Sequence, residues 1–275
     1  MANKALLIGI NDYKGFNDLQ GCINDLKSMR KILMNYVGFQ AEDIRVLTDE
    51  RATKQNIVTR LQWLVRNAKK GDWCVVHFSG HGSQIRDRDD NDELSDRLDE
   101  IICPYDMDWD SHTYITDDQL YDIFRDLEEG VLLEVFLDCC HAGTGTREVS
   151  PRNLPDSTEN VRYRYLPPPF DIVCRSDTYS DLKKRGFGPR SRLVELNHVL
   201  WSACKEDQAA AESLFDGRPH GAFTHCVCRH FEATLGKVSR LGLLRRIHAS
   251  LRHGGFSQIP QLQVPPDLGE RDSYI

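Results

Sequence analysis

Short apolar runs alternate along this chain with longer stretches in which apolar positions recur every three or four residues. Residues 4–10, 73–79 and 131–137 are apolar almost without interruption. They are too short for helices and rich in branched side chains, the pattern of strands buried on both faces of a parallel sheet. Residues 44–47 make a further short strand. Leu26, Met29, Ile32, Leu33 and Tyr36 fall at helical spacing and predict an amphipathic helix over 24–36. Ile57, Leu61, Leu64 and Val65 predict a second helix, capped by Thr53 or a neighbour. Residues 101–103 form a strand that stops at Pro104, and Leu120, Ile123, Phe124 and Leu127 mark a helix over 117–127. Strands alternating with helices predict an α/β fold, a mostly parallel central sheet with helices on both faces.

Between Gly143 and Arg192 the pattern dissolves, and Pro151, Pro155, Pro167, Pro168, Pro169 and Pro189 forbid a long helix there. Regular structure resumes with a strand over 197–204, a helix opened by Gly221, a helix over 239–251 and a last, edge strand over 259–264.

Composition narrows the classes. A chain of 275 residues with 40% hydrophobic content can bury one sizeable core. No apolar run approaches the roughly 20 residues of a membrane-spanning helix. The first strand begins almost at once, without a signal peptide's apolar region and cleavage site, which points away from secretion. Nine cysteines in no regular spacing suit free thiols in a reducing cytoplasm. A net charge of −7 without a basic block argues against nucleic acid and is compatible with a basic substrate.

Two strands end in chemistry. Residues 131–137 run into Asp138-Cys139-Cys140-His141-Ala142-Gly143, which puts a thiol just past a strand's carboxyl end, where open α/β sheets bind ligands. Residues 73–79 run into Gly80-His81-Gly82-Ser83, where small glycines let the backbone turn and leave the imidazole unobstructed. A base beside a thiol is what generates a thiolate nucleophile, so Cys140 and His81, 59 residues apart, form the predicted dyad. Cys139 points to the opposite face, and His141 directly follows the thiol in poor geometry for proton transfer. His77, inside its strand, is core or pocket edge.

Ser79-Gly80-His81-Gly82 followed by Asp138-Cys139-Cys140-His141-Ala142-Gly143 resembles the paired signature of caspase-like cysteine peptidases, specifically the metacaspase branch. The animal-caspase motif Gln-Ala-Cys-x-Gly is absent. The resemblance extends to Gly21-Cys22-Ile23-Asn24-Asp25, to the stretch from Lys205 to Glu212 and to Gly221-Ala222-Phe223-Thr224, and so covers nearly the whole chain. It implies the caspase-hemoglobinase fold as a single peptidase domain over 1–275, with a large-subunit-like half over 1–146, a linker or flap over 147–192 and a small-subunit-like half over 193–275. The first strand has no prodomain before it in this sequence, so the likeness is to compact prokaryotic or other prodomain-free relatives.

Carried over residue by residue, the resemblance implies His81 and Cys140 as catalytic residues and backbone N–H groups of Gly82 and Cys140 as an oxyanion site. It also implies Cys22, Asp25, Ser79 and Asp138 as the pocket for the substrate residue before the scissile bond. From the residues alone, Asn24 or Asp25 could equally be a helix cap. Two carboxylates in such a pocket would attract Arg or Lys, and bidentate pairing favours arginine.

Residues 86–100 carry eight acidic side chains. An EF-hand is excluded, because Asp92 stands where the loop needs Gly and Leu98 where it needs Glu. A solvated charge run is one reading. The resemblance implies the other, a regulatory Ca2+ site using Asp99, Asp117 and Asp118, with Arg147 a poor fourth ligand unless Glu148 replaces it. Asp118 could also simply occupy the first turn of the helix after Thr116. Residues 147–192 include Arg147, Arg152, Arg162, Arg164, Arg175, Lys183, Lys184, Arg185 and Arg190. For an enzyme that cuts after basic residues this segment is either a self-cleavage region or an uncut flap. His225, Cys226, Cys228 and His230 lack a shared helix face and a second Cys-x-x-Cys pair, so zinc is not expected.

The expected function is thus a monomeric cytoplasmic cysteine endopeptidase acting on proteins after Arg or Lys, calcium-stimulated and self-processing. It would engage neither nucleic acid nor membrane. The competing classes are a silent caspase-like regulatory or scaffolding domain and a cysteine hydrolase acting on non-peptide esters.

Overall fold

A computed structural model describes residues 2–86, 98–140, 161–174 and 197–268. In chain order, β1 (Asn3–Gly9) leads through α1 (Cys22–Ile32) to β2 (Ile44–Thr48), and α2 (Lys54–Arg66) leads to β3 (Trp73–Ser79). A short antiparallel ladder follows, made of β4 (Gly82–Arg86), β5 (Leu98–Ile102) and β6 (Ile115–Thr116). Next come α3 (Asp117–Phe124), β7 (Leu132–Asp138), β8 (Arg162–Tyr163) and α4 (Phe170–Cys174). The last part holds β9 (Val199–Ser202), β10 (Ala211–Phe215), β11 (Arg218–Gly221), α5 (Ala222–Ala233), α6 (Arg240–His253) and β12 (Gln261–Gln263).

The main sheet has the order β12-β9-β7-β3-β1-β2. Five strands are parallel, and β12 pairs antiparallel with β9 at the edge. Both faces are covered, as a parallel sheet requires. Ile57, Leu61 and Phe124 from α2 and α3 pack into one core, while Leu26, Met29, Phe223, Val227, Leu243 and Ile247 from α1, α5 and α6 pack into the other. Leu6, Ile8, Val76 and Val135 face the first core, and Leu7, Val75 and Phe136 the second, following the two-residue period of strands. Both halves of the chain contribute to this sheet, since β9 pairs with β7.

Several boundaries differ from the sequence pattern for physical reasons. The predicted 24–36 helix begins at Cys22 and changes at Leu33–Val37 into a π turn that ends on Gly38 in the left-handed conformation. Of residues 101–103, the first two form the end of β5 and Cys103 lies just past it; β5 is the middle strand of a ladder whose partner β4 the sequence did not reveal. The proline-rich stretch contains β8 and the five-residue α4, which starts directly after Pro169. Thr53 and Thr116 do cap α2 and α3, accepting from the Asn56 and Gln119 N–H groups. Glu134, in the middle of β7, is fully buried; burial raises its pKa against the pull of Arg240, whose Nε donates to Oε1 at 2.9 Å. The Trp201 indole donates to its other oxygen at 3.3 Å.

Two buried histidines make the fold acid-sensitive. Burial lowers both His77 and His198 from 6.5 to about 4. The unfolded chain therefore binds these protons more tightly than the folded one, so stability is fully present above pH 6.5 and lost as pH falls through about 4. The loss amounts to roughly 3 kcal/mol per ring at most. Urea denaturation across this range should show a falling free energy, with a shallower fall in His198→Phe; equal slopes would remove His198 from the account.

Candidate active site

Strands β3 and β7 pair in register up to Ser79 opposite Asp138, so the residues after each leave the sheet side by side. The Gly80 N–H donates to the Asp138 carbonyl at 3.4 Å. A side chain at Gly82 would run into the Cys140 carbonyl, so the close approach of the two tips requires glycine there. His81 is held from three directions. Its N–H donates to the Tyr13 hydroxyl at 2.8 Å, its C=O accepts from Cys103 N–H at 3.0 Å, and its ring lies 4.7 Å from the Tyr13 ring.

The His81 Nε2 lies 2.7 Å from the Asn17 carbonyl. A carbonyl only accepts, so Nε2 carries the proton and Nδ1 keeps its lone pair. Nδ1 is buried without a hydrogen-bond partner. Burial lowers the imidazole to about 4; Asn17 opposes that shift and the Arg164 charge adds to it. Cys140 is fully buried, its Sγ 3.8 Å from the Ala210 carbonyl, and burial pushes the thiol up to about 12. Both groups therefore rest in their neutral forms. Cys139 faces the opposite core from Cys140, as the strand period requires. Residues 141–148, with His141 and Glu148, lie outside the described residues.

The four pocket residues expected from the sequence converge on a guanidinium. Arg164, with no exposed surface, places Nη2 at 2.7 Å from Asp25 Oδ2 and Nη1 at 3.1 Å from Asp138 Oδ2. Nη1 also donates to Ser79 Oγ at 2.8 Å, and the Ser79 hydroxyl donates to Asp25 at 2.8 Å. The Cys22 thiol borders Ser79, Asp25 and this charge, and burial pushes it up to about 12. Neither Asn24 nor Asp25 caps α1: Gly21 takes that position, Asn24 donates to the Pro219 carbonyl, and Asp25 turns inward.

The sequence missed the rest of this pocket. Glu212 on β10 lies 3.3 Å from Arg164 Nη2 and accepts from Gln20 and Gly21 N–H, each at 2.8 Å. His220 Nδ1 lies 3.0 Å from Asp25, and Gly221 N–H donates to the same carboxylate at 3.1 Å. Thr224, in the first turn of α5, gives Asp138 its hydroxyl at 2.6 Å and its N–H at 3.0 Å. His77 completes the pocket edge through Thr224 Oγ1 at 3.1 Å. Burial would raise Asp25, but Arg164 and the His220 hydrogen bond outweigh it and hold this carboxyl below its usual range. Burial, reinforced by repulsion from Asp25, carries Asp138 above its usual range despite Arg164. Three carboxylates thus surround one cation.

The backbone carrying Arg164 is equally fixed. Its carbonyl accepts from Gly82 N–H at 3.0 Å and Cys140 N–H at 3.2 Å, and its N–H donates to the Ala210 carbonyl at 3.0 Å. On one side β8 pairs antiparallel with β10. On the other, Leu166 N–H donates to the Gly82 carbonyl at 3.0 Å, and the Ser83 hydroxyl donates to the Leu166 carbonyl at 2.6 Å.

The expected calcium ligands lie on neighbouring elements. Asp99 lies on β5, opposite Ile85 of β4, and the other neighbour of β5 is β6, which runs directly into α3. Asp117 and Asp118 form the first turn of α3. Among the described residues, no group of three or more His, Cys, Asp or Glu side chains is placed to hold a metal ion. His225 and His230 are engaged otherwise, His225 stacked 4.1 Å from the Phe215 ring and His230 paired with Ser250 Oγ at 2.7 Å.

A family model described as metacaspase, peptidase C14 domain, matches residues 3–147. The chain is 33% identical to metacaspase-1B of Aspergillus oryzae over 96% of its own length and 68% of that protein. It is 30% identical to metacaspase-1 of Saccharomyces cerevisiae over 94% of its length and 65% of that protein, and so spans about two thirds of each relative. Its fold matches protein GSU0716 of Geobacter sulfurreducens with a TM-score of 0.69 at 22% identity, covering 100% of both chains. It also matches caspase-1 of Spodoptera frugiperda with a TM-score of 0.58 at 12% identity, covering 96% of this chain and 86% of that one. With the sheet, the paired strand tips and these likenesses in agreement, the fold is caspase-like and the chain belongs to the metacaspases, a family of cysteine peptidases.

Proposed function

We propose that this chain is an endopeptidase that cuts proteins after Arg, and less readily after Lys, through the Cys140–His81 dyad. The observation that carries the reading is the wholly buried guanidinium among Asp25, Asp138 and Glu212. A buried site with an excess of carboxylates is costly when empty of cations and repels a substrate Asp. The fork of an arginine can meet separate carboxylates at once, which a single ammonium does less well.

In the proposed reaction His81 Nδ1 takes the Cys140 proton and the thiolate attacks the carbonyl carbon after the basic residue. The Gly82 and Cys140 N–H groups receive the developing oxyanion. His81 returns the proton to the leaving amine, and water hydrolyses the acyl-enzyme. Calcium is proposed as a regulator held by Asp99, Asp117 and Asp118 with a further ligand, and as no part of bond breaking. The enzyme would process its own chain. It would work as a monomer in a reducing cytoplasm, a setting that suits the eight free cysteines among the described residues. Among those residues, no helix is long and apolar enough to cross a membrane.

The test is hydrolysis of matched fluorogenic peptides ending in Arg, Lys or Asp, with calcium or with chelator. Cleavage after Arg should exceed that after Asp by at least ~100-fold and should fall about a thousandfold in Cys140→Ala. Cleavage only after Asp would overturn the pocket, and activity on small esters alone would favour a different hydrolase. A chelator without effect would remove calcium. Glu212→Gln should lower kcat/KM for the Arg peptide by roughly tenfold or more, the value of one charged hydrogen bond, and an unchanged value would remove Glu212 from the specificity pocket.

A further inference from the structure

The residue that fills the pocket belongs to the chain itself, and it enters as a substrate would. Its guanidinium lies among the carboxylates, while its carbonyl oxygen takes both N–H groups expected to hold an oxyanion, at 3.0 and 3.2 Å. The backbone is extended across the site and hydrogen-bonded on both flanks, by β10 before Arg164 and by Gly82 and Ser83 after it. Leu166 is buried in a core beyond the carbonyl. Each anchor taken singly is ordinary; together they hold one peptide group, Arg164–Tyr165, in the place where the chemistry would occur.

We infer that residues 162–166 are a strap that closes the active site and that Arg164–Tyr165 is the bond the enzyme cuts in its own chain to become active. The inference rests on the proposed peptidase activity and specificity. With the strap in place Cys140 has no exposed surface and His81 only 2%, so an external peptide cannot reach either. Of the basic residues in the segment, Arg162 and Arg164 are within the described residues. Arg162 differs from Arg164: its side chain is exposed and donates to the Asp18 carbonyl at 2.7 Å.

In the cut, Cys140 Sγ bonds to the Arg164 carbonyl carbon, and the thiol proton passes through His81 to the Tyr165 nitrogen as the C–N bond breaks. Water then adds to the thioester. The S–C bond breaks, the thiol regains a proton, and the products are an Arg164 carboxylate and a Tyr165 amine. Once the bond is cut, the flank held by Gly82 and Ser83 is no longer covalently linked to Arg164, so the two ends can leave the site separately. The strap then exchanges for outside substrate.

The experiment combines intact-mass and amino-terminal sequencing of the full chain with initial rates on the Arg peptide. Wild type should yield a fragment beginning at Tyr165, show a lag before peptide hydrolysis, and lose both cut and hydrolysis in Cys140→Ala. Arg164→Lys, which keeps a cation in the pocket, should still be cut. Tyr165→Pro keeps Arg164 in place but presents a resistant bond; it should stay intact and hydrolyse the peptide at least tenfold more slowly than processed wild type. Arg164→Gln, if it folds, should escape the cut at this bond and hydrolyse the peptide without a lag. Processing elsewhere with Arg164–Tyr165 intact, or Tyr165→Pro as active as processed wild type, would overturn the strap while leaving the peptidase standing. Processed wild type inert on every basic peptide would instead remove the function on which the strap rests.

Discussion

A guanidinium withdrawn entirely from water can persist only where carboxylates and hydrogen-bond acceptors replace its hydration, and Arg164 has Asp25, Asp138, Glu212 and Ser79 in that role. These partners come from α1, β7, β10 and β3, so one charge ties the helix beside the first strand, two central strands and the peripheral ladder together. Glu212 also accepts from the N–H groups of Gln20 and Gly21, and Asp138 from Thr224 at the start of α5. The carboxylates are thereby fixed before any ligand arrives. The site holds more negative than positive charge, so an occupant without a cation would leave repelling carboxylates in a low-dielectric site, which is the basis of the proposed preference for arginine.

The second constraint is the nearness of two strand ends. Parallel pairing in register brings Ser79 and Asp138 level, and the absence of a side chain at Gly82 lets that tip approach the Cys140 carbonyl. From there the geometry follows locally. Tyr13 and Cys103 hold the His81 backbone, Asn17 fixes the tautomer, and Nδ1 is left as the basic nitrogen. Neutral imidazole and neutral thiol in the closed site describe a resting dyad, since burial disfavours the charged form of each. On the proposed reading, admission of water and release of the strap would relax both shifts, so that access to the site and activation of the thiol would coincide.

The sequence alone determined the elements whose stability is set by local pattern. Unbroken apolar runs could only be buried strands, the three-to-four spacing in α1, α2 and α6 could only be amphipathic helices, and Thr53 and Thr116 capped the helices they precede. It also marked the two chemical tips, because small residues and a polar side chain directly after a buried strand are visible without knowing what lies opposite. The tertiary structure decided what depends on residues distant in the chain. Glu212 and Arg164 are unremarkable charged residues in sequence, and only the fold brings them, 48 positions apart, into one pocket with Asp25. The Asn17 partner of His81 is a backbone carbonyl, which no side chain announces. The ladder partner of residues 98–102 and the strand at Arg162–Tyr163 are held by pairing rather than by propensity, and pairing is a long-range property that local periodicity cannot encode.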